Sequence, residues 1–331
     1  MRRVTQGDIA RELGLHPSTV SKALKGDPAI AAATVARVRQ AAAARGFRPD
    51  PMLTALARYR ARRPTTPRAT IGWIHNYPSG TDMSLYAGFA DYFDGAAARS
   101  GELGYTLEPF WVDGKRLTDR SLPRILRARG IRGIIFAPQV ATGVKLNFSV
   151  EDFCSVTIGY SLHEPKLDVI TNDHFSTMTE IVERLQQQGY RRVGCYLWHQ
   201  DNERMGRRAR SAFLAYSNEL AVCVRTYRHF RESDFSRWIR QNGLDAVIGR
   251  GAEQADALLR FNQRHPAQIA FAGYAIEASE TRFQGMCHNN HLIGARAAEW
   301  IAAKLEHGQS GLPAVPQRLL VAGSWVAPAV G

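Results

Sequence analysis

Ser18, Thr19, Ser21, Lys22 and Lys25 crowd one short segment around two apolar positions, Val20 and Leu24. Their chemistry is hydrogen bonding to, and neutralisation of, an anionic surface. Short hydroxyls and long cations on the outer face of a helix suit a major groove, where phosphate oxygens line the walls and base acceptors form the floor. His16 and Pro17 lead into the segment, and Thr5 lies upstream of it. A second set lies far downstream. Asn76, Tyr77, Tyr86, Trp198, Arg204, Arg207, Arg208, Arg250, Tyr274, His288 and Asn289 fall near the ends of expected strands. Aromatic faces with polar groups suit a sugar ring, and Arg250 could instead hold a carboxylate or phosphate. No Gly-x-Ser-x-Gly elbow, phosphate-cradling loop or Gly-x-Gly-x-x-Gly run appears, so acyl transfer, nucleotide hydrolysis and dinucleotide chemistry lack support and no catalytic residue is assigned. Cys287, His288 and His291 lack a fourth ligand pattern. Neither a metal nor a cofactor is expected.

The elements that must position the first set are short helices. Ile9, Ala10 and Leu13 put an apolar edge on one helix, Gly14 supplies the left-handed residue after it, and Val20 and Leu24 face back from the next. After a turn at residues 25–28, Val35, Val38 and Ala42 recur at helical spacing in an Ala-rich third helix over 32–45. Asp50 then reads as an N-cap and Pro51 as a first helical residue. The helix they start carries Met52, Leu53 and Leu56, and at about eight residues it is too short to stand alone in water. It needs partners, namely the same helix of a second subunit and the nucleic acid. Residues 58–68 are Arg- and Pro-rich and read as an exposed connector. The first 68 residues hold fourteen Lys and Arg against four acids, whereas the remaining 263 hold 29 against 26. A basic segment joined to a nearly neutral body is the footprint of a nucleic-acid module attached to something else.

From Thr70 the pattern becomes alternating strand and helix. Strands are expected at 71–74, 105–112, 131–137, 193–197, 222–227, 246–248 and 269–273. Helices are expected at 85–103, 120–129, 175–188, 205–219, 234–241 and 252–264. Two successive series of this kind imply two doubly wound lobes with a ligand cleft between them, beyond the carboxyl ends of the parallel strands. The 331 residues, 45% hydrophobic and 22% charged, exclude a disordered chain, and no apolar run approaches the roughly 20 residues that cross a bilayer. The start lacks the apolar core of a signal peptide, which argues for a cytoplasmic protein. Cys154, Cys195, Cys223 and Cys287 form no Cys-x-x-Cys pair and read as buried free thiols.

In this order of parts the chain resembles the LacI family of bacterial transcription regulators. The likeness is carried by Val4-Thr5, Asp8-Ile9-Ala10, Gly14, Ser18-Thr19-Val20-Ser21-Lys22 and Gly46-Phe47-Arg48-Pro49. Further on it is carried by Asp173 before a helix, residues 188–194, Ala270-Phe271-Ala272-Gly273-Tyr274 and residues 293–298. The resemblance implies an all-α helix-turn-helix headpiece over 1–49, a hinge helix over 50–58, a linker over 59–69, and an α/β domain over 70–331. That domain would be two-lobed and doubly wound with parallel sheets, like the type I periplasmic binding proteins, and would bind effector and dimerise. By the same resemblance Pro17, Ser18 and Lys22 face base edges, while Thr5, Thr19, Ser21 and Lys25 hold phosphates. Leu56 would wedge into a minor-groove step of a pseudo-palindromic operator. The implied protein is a repressor-like homodimer, or a larger assembly, controlled by a carbohydrate or sugar derivative. An enzyme acting on a sugar-like substrate with a DNA-binding appendage is the alternative. Three positions depart from the family pattern: Ala31 stands at the usual Ser cap of the third helix, Gly273-Tyr274-Ala275 lacks the sugar-holding Asp, and Gly249-Arg250-Gly251 replaces an Asn-Asp pair.

Overall fold

The structure is a computed structural model that describes residues 4–25, 27, 29–47, 69–77, 88–115, 117–280 and 282–328. The expected hinge helix and its Leu56, nearly all of the linker, and Tyr86 lie outside the described residues.

Three helices open the chain: α1 (Gln6–Leu13), α2 (Pro17–Lys25) and α3 (Ala32–Ala44). The start of α1 is fixed by a capping box, in which the Thr5 hydroxyl accepts from the Asp8 amide while the Thr5 amide donates to the Asp8 carboxylate at 2.9 Å. Its end is fixed by Gly14, at φ +65°. Ile9, Ala10, Val20, Ala23, Val38, Ala41 and Ala42 form the core, with Leu13, Leu24, Val35 and Phe47 packed around it. Val20 and Ala23, rather than Val20 and Leu24, are the fully buried pair of α2, because the helix turns its small residue onto α1. Ala31 leaves α3 with no side-chain cap, and Asp27 spends its carboxylate on the Ala29 amide at 2.9 Å. Ala31→Ser is therefore expected to stabilise this unit by about 1 kcal/mol, read as slower amide exchange along α3.

The rest is two parallel sheets covered by helices. In the first lobe the sheet order is β13-β7-β5-β3-β1-β2, built from β1 (Ala69–His75), β2 (Tyr105–Trp111), β3 (Gly133–Phe136), β5 (Cys154–Ile158), β7 (Asp168–Asn172) and β13 (Arg318–Val321), all parallel. Helices α4 (Phe89–Glu102), α5 (Leu122–Ala128) and the long α11 (Asn290–Glu306) pack on it. A small ribbon pairs β4 (Val144–Lys145) with β6 (Leu162–Glu164) beside it. In the second lobe the order is β14-β12-β11-β10-β8-β9, built from β8 (Arg192–Trp198), β9 (Ala221–Tyr227), β10 (Ala246–Gly249), β11 (Ala270–Ile276), β12 (Gln284–Cys287) and the antiparallel edge β14 (Ser324–Val326). Its helices are α6 (His174–Gln187), α7 (His199–Arg204), α8 (Arg208–Ala215), α9 (Glu232–Asn242) and α10 (Ala252–Gln263). The Asp173 carboxylate caps α6 by accepting from the Ser176 amide at 3.1 Å.

The expected helix over 205–219 is shorter, Arg208–Ala215 followed by a single 3-10 turn at Tyr216–Asn218, and a separate helix, α7, precedes it. Gly206 and Arg207, at φ +60° and +61°, separate the two helices, and α7 begins directly out of β8 in the all-polar run His-Gln-Asp-Asn-Glu-Arg, where no apolar periodicity announces a helix. Among the described residues no helix is long and apolar enough to cross a membrane. All four cysteines are free; Cys154 and Cys195 are buried, while Cys223 and Cys287 are only half-buried, against the expectation of four buried thiols.

Candidate functional site

The chain passes between the lobes three times, at residues 172–174, 287–290 and 321–324, and the crossings are laced together. The Asp173 amide donates to the Val321 carbonyl at 2.8 Å, and the Asn289 side-chain amide donates to the Ala322 carbonyl at 2.7 Å and the Ser324 hydroxyl at 3.2 Å. Asn289, expected to touch ligand, thus has its amide committed to the hinge.

Between the lobes lies a cleft in two compartments that share Arg250, Ala275, His288 and Asn290. The inner one holds about 120 Å³ and the outer about 690 Å³. The inner is bordered by Phe89, Tyr92, Tyr160, Asn172, His174, Asp201, Arg204 and Tyr274. Four of these, Phe89, Tyr160, Asn172 and His174, follow or end strands of the first lobe or begin the helix after them. This is the topological position where doubly wound folds bind ligands. Asn172, 2% exposed, donates from its side-chain amide to the Tyr92 hydroxyl at 3.1 Å and to the Asn290 side-chain Oδ1 at 3.2 Å. Its own Oδ1, His174 Nδ1, His288 Nε2 and the Tyr160 hydroxyl are buried and have no hydrogen-bond partner among the described residues. Unpaired buried polar atoms cost on the order of 1–3 kcal/mol each. The four residues that carry them border one cavity, where the hydroxyls of a guest or water could pair with them.

His174 and His288 meet edge to face with centroids 5.5 Å apart. Burial lowers both, His174 well below its ordinary value with His288 and Arg208 adding to the effect, and His288 to about 4. Both are neutral when folded and take up protons when unfolded. Stability is therefore expected to be flat above about pH 6.5 and to fall as pH drops toward 4, by up to about 1.4 kcal/mol per pH unit for each ring. Denaturant midpoints at pH 7 and pH 5 measure this, and His288→Gln should remove its share of the slope.

The cationic side chains expected to meet ligand divide sharply. Arg250 ion-pairs with Asp201 at 3.0 Å and lies 4.9 Å over the Trp198 ring, while Asp201 also accepts from the Tyr274 hydroxyl at 3.1 Å. Arg250 lines both compartments with its charge balanced by Asp201, which counts against the alternative that it holds a carboxylate or phosphate. Trp198 backs Arg250 and donates its indole N–H to the Arg228 carbonyl at 3.2 Å, so it supports the wall without lining it. Arg204 borders the inner compartment, its guanidinium 4.7 Å from the Phe89 ring centroid. Arg208 stands 3.8 Å over Tyr160. Arg207 points away, two-thirds exposed and paired with Glu203 at 3.0 Å, because its left-handed backbone turns it out of the helix face. Asn76 and Tyr77 follow β1 and lie outside the compartments, with Tyr77 packed on Phe89 at 5.3 Å. Tyr274 and His288 border the inner compartment. Tyr160, Asn172, His174, Asp201 and Asn290 were not anticipated, and only the Asp173 cap before α6 marked their neighbourhood. Among the described residues no cluster of His, Cys, Asp and Glu suits a metal ion.

At the opposite end of the chain, α2 exposes His16, Pro17, Ser18 and Lys22, with Thr19 and Ser21 half-buried. His16 Nδ1 accepts from the Ser18 amide at 3.3 Å and meets the Ser18 hydroxyl at 2.7 Å, which caps α2. The Thr5 hydroxyl donates to the Asp8 carboxylate at 2.7 Å, so it is engaged at the start of α1. The side chain of Lys25 lies outside the description.

Three helices followed by two doubly wound lobes, crossed three times and closed on a polar cleft, define a periplasmic-binding-protein-like fold carrying an amino-terminal helical unit. That is the fold of solved LacI-type regulators. A CelR–cellobiose complex of a transcriptional regulator aligns over 98% of both chains at 18% identity and a TM-score of 0.52. The Lac repressor dimer bound to operator and the anti-inducer ONPF aligns over 98% of both chains at 15% identity and a TM-score of 0.55. A putative LacI-family regulator from Rhizobium etli aligns over 78% of this chain and 98% of its own at 14% identity and a TM-score of 0.59. No protein-family model matches the sequence, and no curated protein matches it.

Proposed function

We propose that the protein is a LacI-type transcription regulator: a homodimer whose amino-terminal helices read two half-sites of an operator, with affinity set by a small effector between the lobes. One observation carries the reading. A helix with an outward face of Ser18, Lys22 and their neighbours is joined in a single chain to a hinged polar cleft, and the whole arrangement aligns with 98% of an operator-bound repressor. Lys22 is assigned to guanine, Ser18 to a base or phosphate, Pro17 to a thymine methyl, and Thr5, Thr19, Ser21 and Lys25 to phosphates.

The effector class follows from the inner compartment. Neutral imidazoles offer one donor and one acceptor each, and a sugar hydroxyl is both. With Arg250 balanced by Asp201, a neutral sugar or sugar derivative fits better than a free acid.

The test begins with selection of genomic duplex fragments by the purified protein, alongside its sedimentation. A thermal-shift screen of sugars and sugar acids follows, then operator binding with and without the hit. A dimer, an enriched palindromic fragment and a ligand-dependent change in affinity are expected. A monomer with no preference over random DNA overturns the proposal, and turnover of a hit turns it toward an enzyme.

A further inference from the structure

Among the described residues, side chains of α7 and α8 make three contacts across the cleft to the first lobe. Arg204 of α7 seats its guanidinium 4.7 Å from the centroid of Phe89, at the start of α4. Arg208 of α8 sits 3.8 Å over Tyr160, which follows β5. Gln200 of α7 donates from its side-chain amide to the Val140 carbonyl, beyond β3, at 2.7 Å. In each case the donor or cation comes from the second lobe and the acceptor or ring from the first. The break at Gly206 and Arg207 is what allows α7 and α8 to present Arg204 and Arg208 separately, and Arg208 is steadied by donating to the Met205 carbonyl at 3.4 Å.

We infer that Arg204 and Arg208 form a two-point latch that holds the lobes closed over the inner compartment before any effector arrives. The same contacts determine specificity. The guanidinium groups occupy faces of Phe89 and Tyr160, so a guest does not stack on those faces while the latch is closed. Recognition passes instead to Asn172, His174 and His288, whose unpaired polar atoms stand in the same compartment. The effector enters from the open minority, and its apparent affinity is reduced by the fraction of molecules that are open. The regulatory meaning rests on the cleft being the effector site, whereas the latch itself is a property of the unliganded chain and is measured without ligand.

The experiment is a distance measurement across the cleft. Nitroxides are attached through encoded ketone side chains in place of the exposed Lys115 of the first lobe and Arg228 of the second. Labelled full-length chain is diluted with unlabelled protein so that only distances within one chain are read by double electron–electron resonance. The wild type is expected to give one dominant short distance without ligand. Arg204→Ala with Arg208→Ala is expected to raise a longer-distance population about tenfold, since each guanidinium–ring contact at a partly exposed site is worth a factor of roughly three. Phe89→Leu with Tyr160→Leu removes the same contacts from the first lobe and should raise the same population, which guards against misfolding of the arginine variant. Arg207→Ala, whose partner is Glu203, should leave the distribution unchanged. A wild type already dominated by the longer distance, an unchanged distribution in the leucine pair, or an equal shift from Arg207→Ala would each overturn the latch. None of these results depends on whether the cleft binds sugar, and failure of the sugar screen leaves them standing.

Discussion

Gly294→Ala is expected to destabilise the first lobe by about 3 kcal/mol, the upper end of the cost of overpacking a well-filled core. Helices α4 and α11 cross so closely that a Cβ on Gly294 would meet the Tyr92 carbonyl, and one on Gly95 would meet the backbone of His291. Both obstacles are backbone, which cannot rotate aside as a flexible side chain would. The neighbours on both sides are fully buried as well: Ile293, Ala297, Ala298 and Ile301 on α11, and Ala96 on α4. Denaturant unfolding should show the loss in the transition of the first lobe, and Gly95→Ala should match it. The close approach also serves the cleft. It brings the start of α11 against α4, so that Asn290 reaches Asn172 at 3.2 Å. A surviving fraction of either variant is therefore expected to bind the effector more weakly. Full stability in Gly294→Ala would show that the helices can separate at no cost and would undo the argument.

The second large effect concerns DNA. Leu56→Lys is expected to abolish preference for the operator, leaving affinity no higher than for random duplex, while effector binding is unchanged. A minor-groove wedge must be apolar to unstack a base step, and a buried charge without a partner carries a heavy desolvation cost. Leu56 lies outside the described residues, so the expectation rests on the proposed family role. Lys22→Ala is the instructive contrast. Losing one base contact should cost about 1–3 kcal/mol and relax specificity at one position of each half-site, with the kink retained. Fluorescence anisotropy on the selected operator and on a scrambled duplex separates the two patterns, and equal operator affinity for Leu56→Lys would refute the wedge.

Much of the fold was legible from the chain. Gly14 marked the end of α1, and the apolar runs at Ile71-Gly72-Trp73-Ile74 and Gly133-Ile134-Ile135-Phe136 are buried strands, whereas the Thr5–Asp8 capping box that starts α1 emerged only from the fold. Among the strands that escaped notice, β5 and β7 are buried but carry Ser155, Thr157, Asp168, Thr171 and Asn172. Their polarity hides them from an apolar count. Asp168 is kept inside by Lys304 at 2.7 Å and by the Gln317 amide at 2.8 Å, partners that lie in the last part of the chain and leave no local trace. The cleft was harder. Residue type alone marked Arg250 as a free cation, and only the folded chain brings Asp201 to it. Arg207 and Arg208 are neighbours in sequence with opposite fates, decided by a single left-handed backbone conformation. His174 gave no signal beyond the Asp173 cap, since a lone histidine opening a helix has no pattern of its own.

The laced crossings carry a mechanical implication. Three short connectors tied by Asn289 and the Asp173 amide leave the lobes a single easy motion, rotation about one shared axis, much as a door on three pins can only swing. The amino-terminal helices are joined by the chain to the first lobe alone, through β1. On the proposed function, an event deep in the gap would reach them in one form, as a change in the pitch of that lobe. Whatever molecule such a regulator bound, its message to the opposite end of the protein would be an angle.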